Sequence, residues 1–277
     1  MESGIIVDSC CDMSEEMKRE TRVTSVPLTM QLDGEEYTDD QRLDLPLFMR
    51  AMQACRKKIG SAAPPPRLFQ TAIQETMSEY IVTLSDKMSA SYENALLGSR
   101  QAREETGIDA HVFNSKTGCA GETLIALRLR ELINEQLSKA RVIQATQAFI
   151  DSTKTYFVLE NYDNLQKNGR MGKITGSLIH ILNIKLIMGA DHDGNIALYE
   201  KARGMYGAIR QMLSLIERSG KVTADGNLVI SHNNNIEFAT RLRDEIVKLF
   251  RFKSIYIVRT GGLSSLYADN KGVVMAF

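Results

Sequence analysis

The chain has 277 residues, of which 43% are hydrophobic and 25% are charged, as expected for one large globular domain or two smaller ones. Basic and acidic residues both number 34, so the formal net charge is zero and the composition argues against nucleic-acid binding. No signal-peptide pattern opens the chain, and no segment reaches the roughly 18 apolar residues of a membrane span. We therefore expect a cytoplasmic protein with at most transient membrane contact. Its four cysteines form no C-x-x-C pair and are expected to be reduced.

The first half of the chain alternates strand-like and helix-like segments. A short apolar run, residues 5–7, ends in Asp8-Ser9 and is typical of a buried strand that opens into a polar loop. The Asp33-Gly34 pair predicts a hairpin turn, and the proline-rich residues 60–66 are predicted to lack regular structure. Strands are also predicted at 23–30, 81–84 and 111–113, and helices at 45–58, 68–80, 91–106, 121–134 and 138–152. This alternation indicates an α/β lobe with a mainly parallel sheet.

The second half of the chain again mixes strands and helices. Strands are predicted at 156–159, 184–188, 196–199, 228–231, 254–258 and 273–277, and helices at 204–218 and 236–250. We therefore predict an N-terminal α/β lobe at residues 1–152 and a C-terminal α/β lobe at residues 153–277, although no linker-like composition marks the boundary.

Nucleotide-binding motifs are incomplete in this sequence. Residues 169–175 invite comparison with a phosphate loop, but Lys167 stands at the first glycine position and Ile174 at the position of the magnesium-binding hydroxyl. The first strand is followed by Asp-Ser-Cys-Cys-Asp rather than by a dinucleotide-binding glycine pattern. We therefore expect no cofactor.

Metal-site and hydrolase motifs are also without support. His192 lies in an Asp-His-Asp-Gly segment of the kind that a tight turn selects, and no pair of histidines has zinc-ligand spacing. The Gly-x-Ser-x-Gly elbow is missing, and residues 262–265, which are superficially similar to it, are predicted to form a loop. Cys10 is a candidate nucleophile, but no feature of the sequence supplies its base.

Small hydroxyl residues follow several of the predicted strands. They are Ser61, Ser85, Ser89, Ser115 and Thr117. If the strands are parallel neighbours, their loops converge at one sheet edge, where hydroxyls and backbone N–H groups can hold a carboxylate or a phosphate. Helix capping explains each residue taken alone, so an anion site and ordinary capping both remain open.

The segments that contain these residues resemble the DegV family when they are read in chain order. Residues 6–12 resemble its opening I-x-D-S-x-x-D, and residues 26–39 resemble V-P-L-x-x-x-x-D-G-x-x-Y-x-D. Further segments are similar to T-S-Q-P-S, L-S-S-x-L-S-G-T-Y-x-x-A, D-S-x-x-x-S-x-G and L-x-K-G-G-R-I, and they lie at residues 61–69, 84–95, 114–121 and 165–171. The resemblance covers nearly the whole chain, because the fragments keep the same order and similar spacing.

The resemblance implies a two-lobed fold with a long apolar tunnel in the N-terminal lobe that holds one fatty acid. By position, the acyl carboxylate would lie near Ser61, Ser89 and the backbone of Ala90, with Ser115 as a further candidate contact. The late histidine of the family falls on Tyr267, which can donate a hydrogen bond but is neutral near pH 7. The final strand would pack near this head group.

The resemblance also implies a function, since the family includes the fatty-acid-binding B subunits of bacterial fatty acid kinase. The predicted protein binds one long-chain fatty acid and presents its carboxylate to a separate kinase, with no catalytic residue and no metal of its own. Arg170 would contact that partner or a phosphate, and a salt-bridged surface arginine is an equal interpretation. Two alternatives remain open. One is an acyl hydrolase or transferase that uses Ser89 or Cys10, and the other is a regulatory protein that lipid only stabilises.

Overall fold

The computed structural model describes residues 4–55, 59–171, 183–221 and 223–277, which fold into an α/β structure with three sheets. The strands are β1 (Ile5–Asp8), β2 (Val23–Val26), β3 (Thr29–Leu32), β4 (Glu35–Thr38), β5 (Gly60–Ala62), β6 (Tyr80–Thr83), β7 (His111–Asn114), β8 (Thr155–Val158), β9 (Ile184–Ala190), β10 (Ile196–Arg203), β11 (Asn227–His232), β12 (Ser254–Arg259) and β13 (Val273–Ala276). The helices are α1 (Glu15–Thr21), α2 (Leu45–Ala54), α3 (Pro66–Thr76), α4 (Ser91–Thr106), α5 (Ala120–Asn134), α6 (Lys139–Ser152), α7 (Asp163–Lys167), α8 (Gly204–Arg218), α9 (Ile236–Leu249) and α10 (Gly262–Ala268). Within these ranges no helix is long and apolar enough to cross a membrane.

The first sheet is fully parallel, with the strand order β2-β1-β6-β7. All residues of β1 and β6 are buried, because α3 and α4 pack on one face of the sheet and α5 packs on the other. The carboxylate of Asp8 accepts backbone hydrogen bonds from Cys10 at 3.0 Å and from Leu84 at 2.9 Å. These bonds tie the loop after β1 to the loop after β6. The Ser85 N–H donates to the Thr117 carbonyl at 2.7 Å, so the predicted convergence holds for the loops after β6 and β7, whereas Ser61 lies on β5, outside this sheet.

The second sheet is mixed and has six strands in the order β10-β9-β8-β13-β11-β12. Only β11 and β12 pair in parallel among these neighbours. Helices α8 and α9 cover one face of this sheet. Helix α5 contacts strands of both large sheets, and its buried side chains belong to one hydrophobic cluster with Val82, Val229 and Val274. The chain passes into the mixed sheet between Ser152, where α6 ends, and Thr155, where β8 begins. The division into lobes at 152/153 stays a prediction.

The third sheet is small and antiparallel, with the order β4-β3-β5. Its hairpin turns at Asp33 (φ 53°) and Gly34 (φ 96°), and the two positive φ values are those of the tight turn that the Asp-Gly pair predicts. The prediction of one strand at 23–30 is wrong, because the chain leaves the parallel sheet after Val26 and enters this sheet at Thr29. Pro27 lies at the break. Proline has no N–H group to donate to a neighbouring strand, so within a sheet it would interrupt the ladder of hydrogen bonds.

Two further segments differ from the sequence predictions. Residues 60–62 are a strand that pairs with β3, although they were predicted to lack regular structure. Residues 262–265 belong to α10 rather than to a loop, because the Asp39 carboxylate accepts the N–H groups of Gly262 (2.8 Å) and Leu263 (2.9 Å) at the start of this helix. Both elements depend on partners that are distant in the sequence, so local patterns do not reveal them.

Candidate functional site

A cavity lies where the three sheets approach one another. Counted together with the open solvent at its mouth, its space amounts to about 820 Å³. The loops after β1, β6 and β7 form one side, and strands of the mixed sheet together with α10 form the other. The apolar side chains of the lining are those of Cys10, Leu28, Leu84, Met88, Cys119, Phe157, Leu159, Leu165, Ala190, Ile196, Leu263, Ala268 and Val274. Such a lining favours an apolar ligand body.

Polar groups meet at one region of this cavity. The Ser61 hydroxyl, on β5, lies 2.8 Å from the hydroxyl of Tyr267, on α10. The guanidinium carbon of Arg170 lies 5.6 Å from the centre of the Tyr267 ring. Arg170 is held there because its Nε donates to the carbonyl of Met88 at 3.3 Å and its Nη1 to the carbonyl of Asn168 at 2.7 Å. The three side chains thus place two hydroxyls and one positive charge together, a combination suited to an anionic group.

Ser89 also lines the cavity, beside the start of α4. Its N–H donates to the Ser85 carbonyl at 3.1 Å, and its hydroxyl accepts the Ser91 N–H at 3.1 Å. Ala90, the residue that precedes α4, is exposed and is not part of the cavity wall. The structure therefore brings Ser61, Ser89, Tyr267 and Arg170 to one cavity and leaves Ala90 outside it.

Ser115 has a different position from the other predicted contacts. It is buried, its hydroxyl donates to the carbonyl of Thr117 at 3.0 Å, and it accepts the Thr117 N–H at 3.2 Å. These bonds close a turn after β7, and it is Thr117 that reaches the cavity, with its hydroxyl 2.8 Å from that of Thr155. A ligand role for Ser115 stays a prediction, while its contacts show how it shapes the loop.

Ser264 is a lining residue that sequence reasoning missed. Its hydroxyl donates to the carbonyl of Cys10 at 3.3 Å and accepts from the Cys119 thiol at 3.3 Å. It lies on α10, a helix that had no local signal beyond a short Gly-Leu-Ser-Ser segment. Without knowledge of that helix, the sequence offered no reason to place Ser264 in a site.

Buried carboxyl groups hold elements of the cavity wall in place through hydrogen bonds. Burial raises the pKa of Asp8 to about 6 and that of Asp12 to about 7. Burial also raises the pKa of Asp39, and it raises the pKa of Glu122 well above its usual range. Asp12 accepts the Gly261 N–H at 2.9 Å and, together with Asp39, fixes the beginning of α10. The helix that carries Tyr267 is therefore anchored to the N-terminal half of the chain.

The lining of the cavity contains no histidine among the described residues. The Cys10 thiol is buried. Its pKa is raised well above the usual range, mainly by a hydrogen bond with the Cys119 thiol and secondly by burial. In this state the thiol stays protonated. The histidines of the described ranges, His111, His192 and His232, are absent from the lining, while His180 lies outside those ranges. No histidine of the described ranges therefore lies beside Cys10 or Ser89, while the carboxyl groups of Asp8 and Glu122 lie close to Cys10.

Other motifs tested from the sequence have structural explanations. The turn predicted around His192 is confirmed, because the Asp191 carboxylate accepts the N–H groups of Asp193 (2.9 Å) and Asn195 (2.8 Å). The described residues contain no group of His, Cys, Asp or Glu side chains arranged to hold a metal ion. Most of the glycine-rich segment 169–175 lies outside the described residues.

The fold and the cavity together define a class: an α/β protein whose parallel and mixed sheets enclose an apolar ligand space with polar groups in one region. The chain belongs to the DegV family, since the model described as "Uncharacterised protein, DegV family" matches residues 2–276. DegV domain-containing proteins of Streptococcus pyogenes serotype M18 and Streptococcus pneumoniae R6 are each 32% identical to it, over 99% of this chain and 98% of theirs.

Solved structures show the same fold. A DegV-family protein of Ruminococcus gnavus, refined with vaccenic acid, has a TM-score of 0.95 and 34% identity, with complete coverage of both chains. The Fatty Acid Kinase (Fak) B3 protein of Streptococcus pneumoniae, loaded with linoleic acid, has a TM-score of 0.91 and 30% identity, and the match covers 100% of this chain and 99% of that one. The family membership predicted from the sequence is therefore confirmed.

Proposed function

We propose that this protein binds one long-chain fatty acid in the cavity described above, with its carboxylate among Ser61, Tyr267, Ser89 and Arg170. The observation that carries the proposal is the Ser61–Tyr267 hydroxyl pair, 2.8 Å apart, in a space whose lining is mostly apolar. A fatty acid has the matching chemistry, because it combines one anionic end with a long apolar chain. The vaccenic and linoleic acids held by the two similar structures support the same ligand class.

The apolar chain supplies most of the binding free energy. A chain with about 15 methylenes gains roughly 0.8 kcal/mol for each one removed from water, so full burial contributes about 12 kcal/mol before ordering costs. The polar contacts then need only to orient the acid. Tyr267 is suited to that task because its hydroxyl donates a hydrogen bond without adding a charge.

The protein acts as a carrier and not as an enzyme by itself. A separate kinase phosphorylates the carboxylate, and Arg170, half-buried beside Tyr267, contacts that partner or the transferred phosphate. Support for a kinase partner comes from the similarity to the pneumococcal Fatty Acid Kinase B3 protein.

Native mass spectrometry of protein purified from bacteria tests the proposal. We expect one bound fatty acid of about 14 to 18 carbons per chain, since a ligand of this length buries enough methylenes for tight binding. Consistently empty protein, which also fails to take up added oleic or palmitic acid, would refute the carrier. Turnover of an acyl ester would instead favour the hydrolase.

Matched variants test the position of the head group. Ser61→Ala and Tyr267→Phe each remove one hydroxyl, and each should weaken binding about tenfold or more, as expected for a hydrogen bond to a charged group. Tyr206→Phe is the control, because Tyr206 is 64% exposed and lies on α8, outside the cavity wall. Unchanged affinity in both cavity variants would show that the carboxylate lies elsewhere.

A further inference from the structure

Two thiols lie side by side in the wall of the cavity. Cys10 follows β1 and Cys119 precedes α5, yet both sulfur atoms reach the same Ser264 hydroxyl, at 4.0 Å and 3.3 Å. The backbone beside Cys119 also packs on Cys10, since a Cβ added to Gly118 would lie 3.1 Å from the Cys10 sulfur. The fold thus brings together two thiols that are 109 positions apart in the sequence and exposes both to the ligand space.

The two thiols differ in accessibility. Cys10 is only 5% exposed, and the neighbouring Cys119 thiol, together with burial, keeps it protonated by raising its pKa. Cys119 is less buried and lies at the N-terminal end of a 15-residue helix. Cys119 is therefore the more accessible thiol, and Cys10 is the second thiol of the pair.

We propose that Cys10 and Cys119 form a peroxide-reactive thiol pair whose oxidant is the hydroperoxide of a long-chain unsaturated fatty acid held in this cavity. The inference rests on the proposed function, because the same apolar wall must hold the acyl chain of the oxidant. Binding in the cavity confines the hydroperoxide group of such a chain to the space that the two thiols line. A water-soluble peroxide lacks this positioning and reacts only by random encounter.

The reaction is balanced without any other reagent. The Cys119 sulfur attacks the distal peroxide oxygen and the O–O bond breaks. The thiol proton passes to the departing alkoxide oxygen, which gives a sulfenic acid on Cys119 and a hydroxy fatty acid. The Cys10 sulfur then attacks the Cys119 sulfur, the S–OH bond breaks, and the hydroxyl leaves as water with the thiol proton. Two thiols are oxidised to a disulfide, and one hydroperoxide is reduced to an alcohol.

Mass spectrometry of the whole protein tests the proposal. Delipidated protein is treated with an equimolar amount of the hydroperoxide of linoleic acid or with hydrogen peroxide, and disulfides are mapped by digestion without reduction. We expect a Cys10–Cys119 disulfide that forms at least about tenfold faster with the lipid hydroperoxide, because the cavity orients that oxidant. An excess of palmitic acid should slow the reaction by occupying the same space.

Three variants sharpen the result. Cys55→Ser should react like the unaltered protein, since Cys55 lies at the end of α2 and outside the cavity wall. Cys10→Ser should stop at an oxidised Cys119 without a cross-link, and Cys119→Ser should remain unoxidised. Native mass spectra of the same samples report the bound fatty acid, so that lipid binding is measured independently of the thiols.

The outcomes separate the two proposals. Protein that binds linoleic acid but keeps both thiols reduced, links other cysteines, or reacts equally fast with hydrogen peroxide would overturn the thiol pair and leave the carrier in place. Protein that binds no fatty acid would overturn both.

Discussion

Replacing Asp12 with asparagine should change how stability depends on pH. Burial raises the pKa of Asp12 from 3.8 to about 7, so the folded protein binds this proton more tightly than the unfolded chain does. Between those two pH values the folded carboxyl group is protonated and the unfolded one is ionised. Stability therefore falls as pH rises through this window, and the loss is complete above the folded pKa.

The size of the effect follows from the pKa difference. A carboxyl pKa of about 7 in place of 3.8 corresponds to about 4 kcal/mol, of which about 3 kcal/mol falls between about pH 5 and 8. Asparagine remains neutral at all these pH values and can still accept the Gly261 N–H that Asp12 holds at 2.9 Å. The Asp12→Asn variant should therefore gain about 3 kcal/mol relative to the unaltered protein as pH rises from about 5 to 8.

Urea unfolding followed by far-UV circular dichroism measures this difference. Both proteins are compared at several pH values, with Asp193→Asn as the control, because the side chain of Asp193 is 74% exposed. The control should show no such gain. A free-energy difference between Asp12→Asn and the unaltered protein that stays constant with pH would refute the assignment of a proton to the buried Asp12.

Three further changes have specific expected results. Tyr267→His restores a side chain that becomes cationic near pH 6.5, so fatty-acid affinity measured by calorimetry should rise more steeply on acidification from about pH 8 to 5.5 than in the unaltered protein; equal slopes would place residue 267 away from the carboxylate. Gly194→Ala should lower the melting temperature, because Gly194 has φ 88° and an added Cβ would lie 2.4 Å from the Ser85 hydroxyl; an unchanged melting temperature would contradict this contact. Phe69→Ala should reduce the free energy of unfolding by about 3–5 kcal/mol, since Phe69 is fully buried between α3 and the parallel sheet, and a loss below about 1 kcal/mol would argue against that packing.

Several features of this protein can be predicted from the sequence alone. The apolar run at residues 5–7 and the periodic helix at 91–106 are determined locally, because side-chain spacing alone decides which face of each element is apolar. Motif order identified the family, and it singled out Ser61, Ser89 and Tyr267, which the structure places in one cavity. Residues that follow parallel strands are predictable as neighbours because such strands end at the same sheet edge.

Only the tertiary structure determined the remaining features. Helix α10 depends on Asp39 and Asp12, whose carboxylates reach it across more than 200 positions of sequence and accept the N–H groups of its first turn. Ser264 enters the cavity wall only because that helix exists. The neighbouring Cys10 and Cys119 thiols likewise result from packing between α5, α10 and the loop after β1. These contacts join residues that are far apart in the sequence. The stability that they contribute depends on the folded arrangement, and no pattern within a single segment of sequence reveals it.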